Sequence, residues 1–249
     1  MRIARLLGSS HALALAAAGA LLLDPSPAGA TTCTVDGTPY TVTVTVTVTV
    51  TVTPGDDVIR GSSGRDVITG NGGDDVVCPL GGEDDITIGA GVDQVESGEG
   101  KDKIRGRAGD DVIFGGPDDD SLTGGEGEDT VDGGDGDDKL VAGTDDDTVR
   151  GDDGEDRIYG EEDNDTLSGG DDDDSLFVGI GDDDLRGAEG SDTLAGGLGN
   201  DELGGEEGND ELAGDDGPAD EGDWGPDGGD VQTGGNFASS GCETVIGIP

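Results

Sequence analysis

An aspartate stands at every ninth position of this chain without a slip: Asp57, Asp66, Asp75, Asp84, Asp93, Asp102, Asp111, Asp120, Asp129, Asp138, Asp147, Asp156, Asp165, Asp174, Asp183, Asp192, Asp201 and Asp210. Two places before each of them the residue is Gly in fourteen cases and Asp in the other four, at Asp118, Asp145, Asp163 and Asp172. Carboxylates set among glycines suit a hard divalent cation. Calcium takes six to eight oxygens from carboxylates and backbone carbonyls, and needs no imidazole or thiolate. Catalysis has little to work with, because His11 is the only histidine and precedes the repeats. The many close carboxylate pairs could be cast as a glycosidase-like acid and base, but cation-binding turns predict the same pairs without a reaction. The chain is therefore read as non-enzymatic.

The aspartates need elements to hold them, and the same period supplies these. Two places after each Asp sits an aliphatic residue, from Ile59, Ile68 and Val77 to Leu203 and Leu212, in all eighteen nonamers that fill residues 52–213. So strict a period reports one small unit stacked many times. Glycine at the first, second and fourth positions permits the positive φ that turns carbonyls inward, and Asp tolerates the left-handed region where it replaces Gly. The alternation after the Asp sends the aliphatic side chain to the opposite face. Metal outside and hydrocarbon inside is the expected arrangement.

The unit reads G-G-x-G-x-D-x-U-x, with U aliphatic, and cleaner copies run from Gly124 to Asp132, Gly133 to Val141 and Gly196 to Gly204. It resembles the RTX (repeats-in-toxin) calcium-binding nonapeptide. The resemblance implies an all-β fold: a right-handed parallel β-roll, a solenoid of about nine two-nonamer coils with short N- and C-terminal caps. In that roll the glycine-rich six residues form a calcium-binding turn and the last three a short strand. With two nonamers per coil, aspartates eighteen apart share a column, one running from Asp57 to Asp201 and the other from Asp66 to Asp210. The resemblance also implies that each ion sits between consecutive turns of one column, so up to roughly sixteen Ca2+ ions fit. The rod would be about 40 Å long.

Composition makes the ion part of the fold. The chain carries 60 acidic against 12 basic residues, a formal charge of -48 and only 2% aromatic residues, the composition of a disordered chain. One aliphatic side chain per nonamer is too thin a core to offset the entropy of ordering nine residues. Divalent cations remove the carboxylate repulsion, and their binding free energy then becomes folding free energy. The charge should repel nucleic acid and anionic membranes, and could attract cationic partners nonspecifically.

Residues 1–30 read as a secretory signal peptide: basic Arg2 and Arg5, an apolar stretch from Ala12 to Leu23, and the small-residue site Ala28-Gly29-Ala30. Twelve apolar residues are too few to span a bilayer, so no membrane insertion is expected. A secreted, extracellular chain would meet abundant calcium and fold outside the cell. The Thr/Val alternation within residues 31–51 is a strand signature. It reads as an N-terminal cap on the first coil, as a spacer, or as an edge for pairing with another chain. Residues 214–249, where the register fails, read as a C-terminal cap. Of three cysteines, Cys33 and Cys78 could staple the N-terminal segment to the third repeat, leaving Cys242 free or intermolecular, although sequence does not fix connectivity.

RTX arrays are commonly appended to a catalytic or adhesive body, whereas the flanks here are 21 and 36 residues, too short for such a domain. The expectation is a secreted calcium-binding repeat protein that folds on binding Ca2+ and buffers calcium or acts in the extracellular matrix. A second reading is a calcium-dependent surface or matrix adhesin, with self-association or an unspecified cell-surface partner separating it from a monomeric rod. A third is an ice-binding roll, which needs a flat row of Thr or Asn. Position nine reads Arg60, Thr69, Cys78, Thr87, Glu96, Arg105, Phe114, and position five is mostly Asp or Glu, so neither is such a row.

Overall fold

The β-branched and aliphatic residues around every U position form strands that stack in parallel, each bonded to the strand eighteen residues away. The computed structural model describes residues 49–214 in full and, as backbone strands, residues 32–35, 38–41, 44–45, 215, 221–223, 231–234 and 244–246. Alternate nonamers sort into two sheets, one of 11 strands containing Ile59 and one of 12 containing Ile68. Typical registers are Val131↔Val149 in the Ile59 sheet and Ile104↔Leu122 in the Ile68 sheet. The two sheets face each other in a right-handed parallel β-roll of about nine coils, as the RTX resemblance implies.

All eighteen U side chains, from Ile59 to Leu212, are buried between the sheets and at most 1% exposed. Their ladder is the core. Position one also faces inward, and there Ile88 and Ala142 join the core while Val52 and Val178 pack against it. The strands are longer than the three residues expected. Lys103–Ala108, Val112–Pro117 and Ser121–Glu126 each run six residues. The first glycine-rich residues of the next nonamer continue the ladder, as in Gly116↔Gly134 and Gly125↔Gly143. The bend is therefore tighter than six residues.

The strand spacing of eighteen changes where the nonamers stop. Val44–Thr45 pairs in parallel with Val58–Arg60, with Val44 opposite Ile59, and Thr49–Thr51 pairs with Val67–Thr69, with Val50 opposite Ile68. The Thr/Val run thus supplies one strand to each sheet. Beyond the repeats, Glu221–Asp223, Val231–Gly234 and Thr244–Ile246 continue the two sheets, with a register irregularity between Ala213 and Asp215.

Thr32–Val35 and Thr38–Thr41 form an antiparallel hairpin lying against the outer side of the Ile59 sheet at Val58–Arg60, Val76–Cys78 and Gln94–Glu96. There Val76 and Cys78 are buried although their positions point away from the core. Cys78 is disulfide-bonded, and the hairpin strand that lies on its own strand is the one whose sequence includes Cys33. The signal-like segment, Trp224 and Cys242 lie outside the described residues. No helix among the described residues is long and apolar enough to cross a membrane.

Candidate metal centre

Each position-six aspartate ends a tight turn and begins a strand, so its backbone is fixed by the ladder. The N–H of the next residue's counterpart one coil on donates to its carbonyl, as in Thr130 N to Asp111 O at 2.8 Å. Its carboxylate then reaches back one coil. The backbone N–H of Asp57 donates to Asp75 Oδ1 at 2.9 Å, that of Asp129 to Asp147 Oδ1 at 2.7 Å, and that of Asp192 to Asp210 Oδ1 at 2.9 Å. Sixteen such bonds of 2.6–3.1 Å link the eighteen aspartates, one for every gap of both columns. The columns Asp57 to Asp201 and Asp66 to Asp210 are thus physically continuous.

These carboxylates do not stand outside the roll. From Asp66 to Asp210 none is more than 4% exposed. From Asp75 to Asp192 the second oxygen, Oδ2, is buried and accepts no hydrogen bond. A buried carboxylate oxygen without a donor is costly and calls for an explanation. Position-one glycine makes room for it. A Cβ on Gly106 would stand 2.2 Å from Asp111 Oδ2, and one on Gly124 2.3 Å from Asp129 Oδ2. This corrects the reading of that glycine: the positive φ falls on positions two and four, whereas a position-one Gly lies against the carboxylate and, as at Gly61, Gly70 and Gly115, against a backbone carbonyl of the next coil. Position four behaves as expected, since Asp118, Asp145, Asp163 and Asp172 have φ of 74–82°.

Loss of water dominates the electrostatics. Burial pushes Asp75, Asp111, Asp156 and Asp165 up to about 7, with the backbone N–H bond offsetting part of the effect and neighbouring carboxylates adding to it. The same causes hold Asp93, Asp102, Asp129, Asp138, Asp183 and Asp192 at about 6. Asp120, Asp147 and Asp174 are driven to about 8, and the contributing neighbours include Asp118, Asp145 and Asp172. Asp in place of Gly at position four therefore adds repulsion to the turn that carries it.

Two features had only faint signals in sequence. At the start of each column the second carboxylate oxygen is satisfied: Thr53 Oγ1 donates to Asp57 Oδ2 at 2.7 Å, and Ser62 N to Asp66 Oδ2 at 2.7 Å. A hydroxyl residue at position two occurs only in these first two nonamers. A second ladder runs along the exposed position five. Asp74 N donates to Asp56 Oδ1 at 3.0 Å, Ser191 N to Asp173 Oδ1 at 2.8 Å and Asn200 N to Asp182 Oδ1 at 2.9 Å. Position six staples each coil to the one before, and position five to the one after.

Among the described residues no three Asp, Glu, His or Cys side chains converge on one point. The donor set of ladder carboxylates and backbone carbonyls suits a hard cation, and lacks the nitrogen and sulfur that softer metals prefer. A family model described as RTX calcium-binding nonapeptide repeat (4 copies) matches the chain in five stretches, residues 51–86, 87–122, 114–149, 150–185 and 186–218. No curated protein matches the chain. Period, paired columns, buried carboxylates and the family match agree, and the chain belongs to the RTX calcium-binding nonapeptide-repeat family.

Proposed function

We propose that this is a secreted, non-catalytic calcium-binding protein whose roll forms when Ca2+ fills the gaps of the two aspartate columns. The observation that carries the proposal is the row of buried, undonated Oδ2 atoms from Asp75 to Asp192. Ionised and unpaired, such a row would oppose folding; with a divalent cation in each gap it would favour folding. Asp75, Asp84, Asp93 and their counterparts through Asp210, with the leading Asp57 and Asp66, would supply the carboxylates. Carbonyls of the glycine-rich turns would supply further oxygens. Bound calcium provides charge neutralisation and a bridge between consecutive coils. Oδ1 holds the register through the backbone N–H of the previous coil, so Oδ2 remains for the ion.

Buffering extracellular calcium or contributing to a matrix follows from a rod with many sites of the weak extracellular class, ~10⁻⁴–10⁻³ M. Residues 32–51 and the strands beyond Asp215 would close the two ends of the stack, as an open parallel solenoid requires. The test is far-UV circular dichroism during a calcium titration followed by chelation. A coil spectrum without calcium, a cooperative gain of β signal with it and full reversal by chelator are expected. A β spectrum indifferent to chelator at neutral pH would overturn the proposal.

A further inference from the structure

Adding one strand to each sheet moves the open end of a solenoid outward by a row without removing it. At the N-terminal end the last strand of the Ile59 sheet is Val44–Thr45 and that of the Ile68 sheet is Thr49–Thr51, and among the described residues no strand pairs with the free edge of either. The hairpin lies to one side of these edges, on the outer face of the Ile59 sheet at Val58–Arg60, Val76–Cys78 and Gln94–Glu96. The core is open there as well. Val50 and Val52 pack on the end of the aliphatic ladder and are only half-buried, while Ile59 and Ile68, one row in, are closed off from solvent. The leading aspartate, Asp57, is half-buried too, whereas those that follow are buried.

This edge lacks the devices that keep edges apart. An exposed edge strand is commonly blunted by Lys, by Pro or by an inward-pointing charge. Residues 41–53 alternate Thr and Val with none of these, and residues 37–55 hold no charged side chain in a chain of 60 acidic residues. The opposite end differs: the last strand of the Ile59 sheet there, Glu221–Asp223, has two acidic residues in three. The ladder also fixes where the edge groups of the N-terminal strand point. Val52 N donates inward to Thr69 O at 2.9 Å. By alternation the N–H and C=O of Val50 point to the same inner neighbour, and those of Thr49 and Thr51 point out of the sheet.

We propose that this edge is a dimer interface, in which Thr49–Thr51 pairs antiparallel with the same strand of a second copy, Val50 faces the partner's Val50 across a two-fold axis, and the two cores become continuous. The sequence selects a second copy, because strict alternation reads the same in both directions. An antiparallel copy therefore sets Val against Val on the inner face and Thr against Thr on the outer one. With Val50 on the axis, the outward groups of Thr49 meet those of the partner's Thr51 as a hydrogen-bonded pair, and Val50 takes the intervening position, where side chains approach closest. Cross-strand Thr pairs add to this. Charge favours this end over the rest of the rod, since two copies meeting elsewhere bring acidic turns or the acidic C-terminal edge together. A two-fold contact also closes, so assembly stops at two. The inference rests on the calcium-folded roll proposed above, because the edge forms only with the first coils.

The full chain and the chain beginning at Thr31 are both brought to saturating calcium, and circular dichroism confirms the roll before assembly is measured, so a failure to fold counts against the calcium reading alone. Sedimentation velocity should show a monomer–dimer equilibrium in both, strengthened by salt that screens the acidic rods, and small-angle scattering should show the two rods end to end. Thr51→Pro removes an outward N–H and leaves the pairing with Val67–Thr69 in place. It should weaken dimerisation about tenfold or more with the calcium-dependent spectrum unchanged. Val50→Cys puts a thiol on the axis and, oxidised in calcium, should give a covalent dimer that peptide mapping links from position 50 to position 50. If Thr51→Pro does not fold, that linkage alone decides. A monomer at every concentration would overturn the proposal. So would a side-by-side dimer, a dimer that Thr51→Pro leaves intact or that position 50 does not link, a dimer that needs residues 1–30, or growth beyond two chains, which would stack this edge on Thr244–Ile246 of the partner subunit.

Discussion

Protons and calcium should compete for the same buried oxygens, so the chelated chain should fold on acidification. Thirteen ladder carboxyls have values of about 6 to 8 in the roll, against 3.8 for a free Asp. A carboxyl raised on folding binds its proton more tightly in the folded state. Its contribution to stability is therefore complete below the unfolded value and is lost as pH rises through the folded one. Counting one unit at each, ~1.4 kcal/mol apiece to allow for screening, the thirteen together give ~18 kcal/mol. That exceeds the ~5–15 kcal/mol stability of a typical domain. Without calcium the roll should therefore be absent at pH 8 and regained as pH falls through 7 and 6 toward 5. Far-UV circular dichroism in chelator, with sedimentation velocity to separate folding from precipitation near the pI of about 4.1, makes the measurement. With millimolar calcium the β signal should persist from pH 8 to 6, and the calcium midpoint should rise as pH drops. A chelated chain as structured at pH 8 as at pH 5, or one losing β signal on acidification, would refute the reasoning.

Asp147→Asn keeps the Oδ1 acceptor for Asp129 N but removes one ladder charge; calorimetry should show fewer ions bound and a calcium midpoint raised several-fold. Gly124→Ala places a Cβ 2.3 Å from Asp129 Oδ2 and 2.8 Å from Ala142 O, an overpacking expected to cost about 1–3 kcal/mol, visible as a lower melting temperature in saturating calcium. Thiol titration of the unreduced chain should find one reactive cysteine, and peptide mapping should join Cys78 to Cys33. Hydrogen exchange at rising calcium should protect the coils before Gly115 first, because the acid-rich turns ending at Asp120, Asp147, Asp165 and Asp174 carry an additional Asp at position four.

Periodicity disclosed a stacked unit and the eighteen core residues, and the RTX resemblance that the repeat carries implied the roll and, with two nonamers per coil, the two columns. What it could not show was depth. Asp129 reads in sequence as a surface turn residue, and only the inward lean of its carboxylate over Gly124 reveals a buried group. Thr53 and Ser62 look like imperfect glycines until their hydroxyls and backbone N–H groups are found on Asp57 and Asp66. Position nine was misleading as a single file. Arg60, Thr69, Cys78, Thr87, Glu96, Arg105 and Phe114 alternate between two faces that point in opposite directions. Sorted by coil, one face carries Thr69, Thr87, Arg105 and then Tyr159 and Phe177. The residues of one face lie eighteen apart in sequence, and the face is invisible at nine.

Position one shows how the aliphatic and aspartate ladders constrain each other. Its side chain would point into the core, so a large residue there thickens the hydrophobic ladder, as Ile88 does. The same space receives the Oδ2 of the aspartate five residues on, and twelve of the eighteen position-one residues are Gly. Most coils thus set a bare Gly against a carboxylate oxygen that accepts no hydrogen bond, and where Ile88, Ala142 and Val178 fill the slot the Oδ2 of Asp93, Asp147 and Asp183 is buried and undonated all the same. An apolar core built for its own sake would do the opposite, since filling that slot adds buried hydrocarbon and excluding the carboxylate removes a desolvation cost. The arrangement is favourable only when the oxygen has a partner. In a donor set of carboxylates and carbonyls that partner is a hard cation, so the thinness of the hydrocarbon ladder and the demand for calcium have one structural cause.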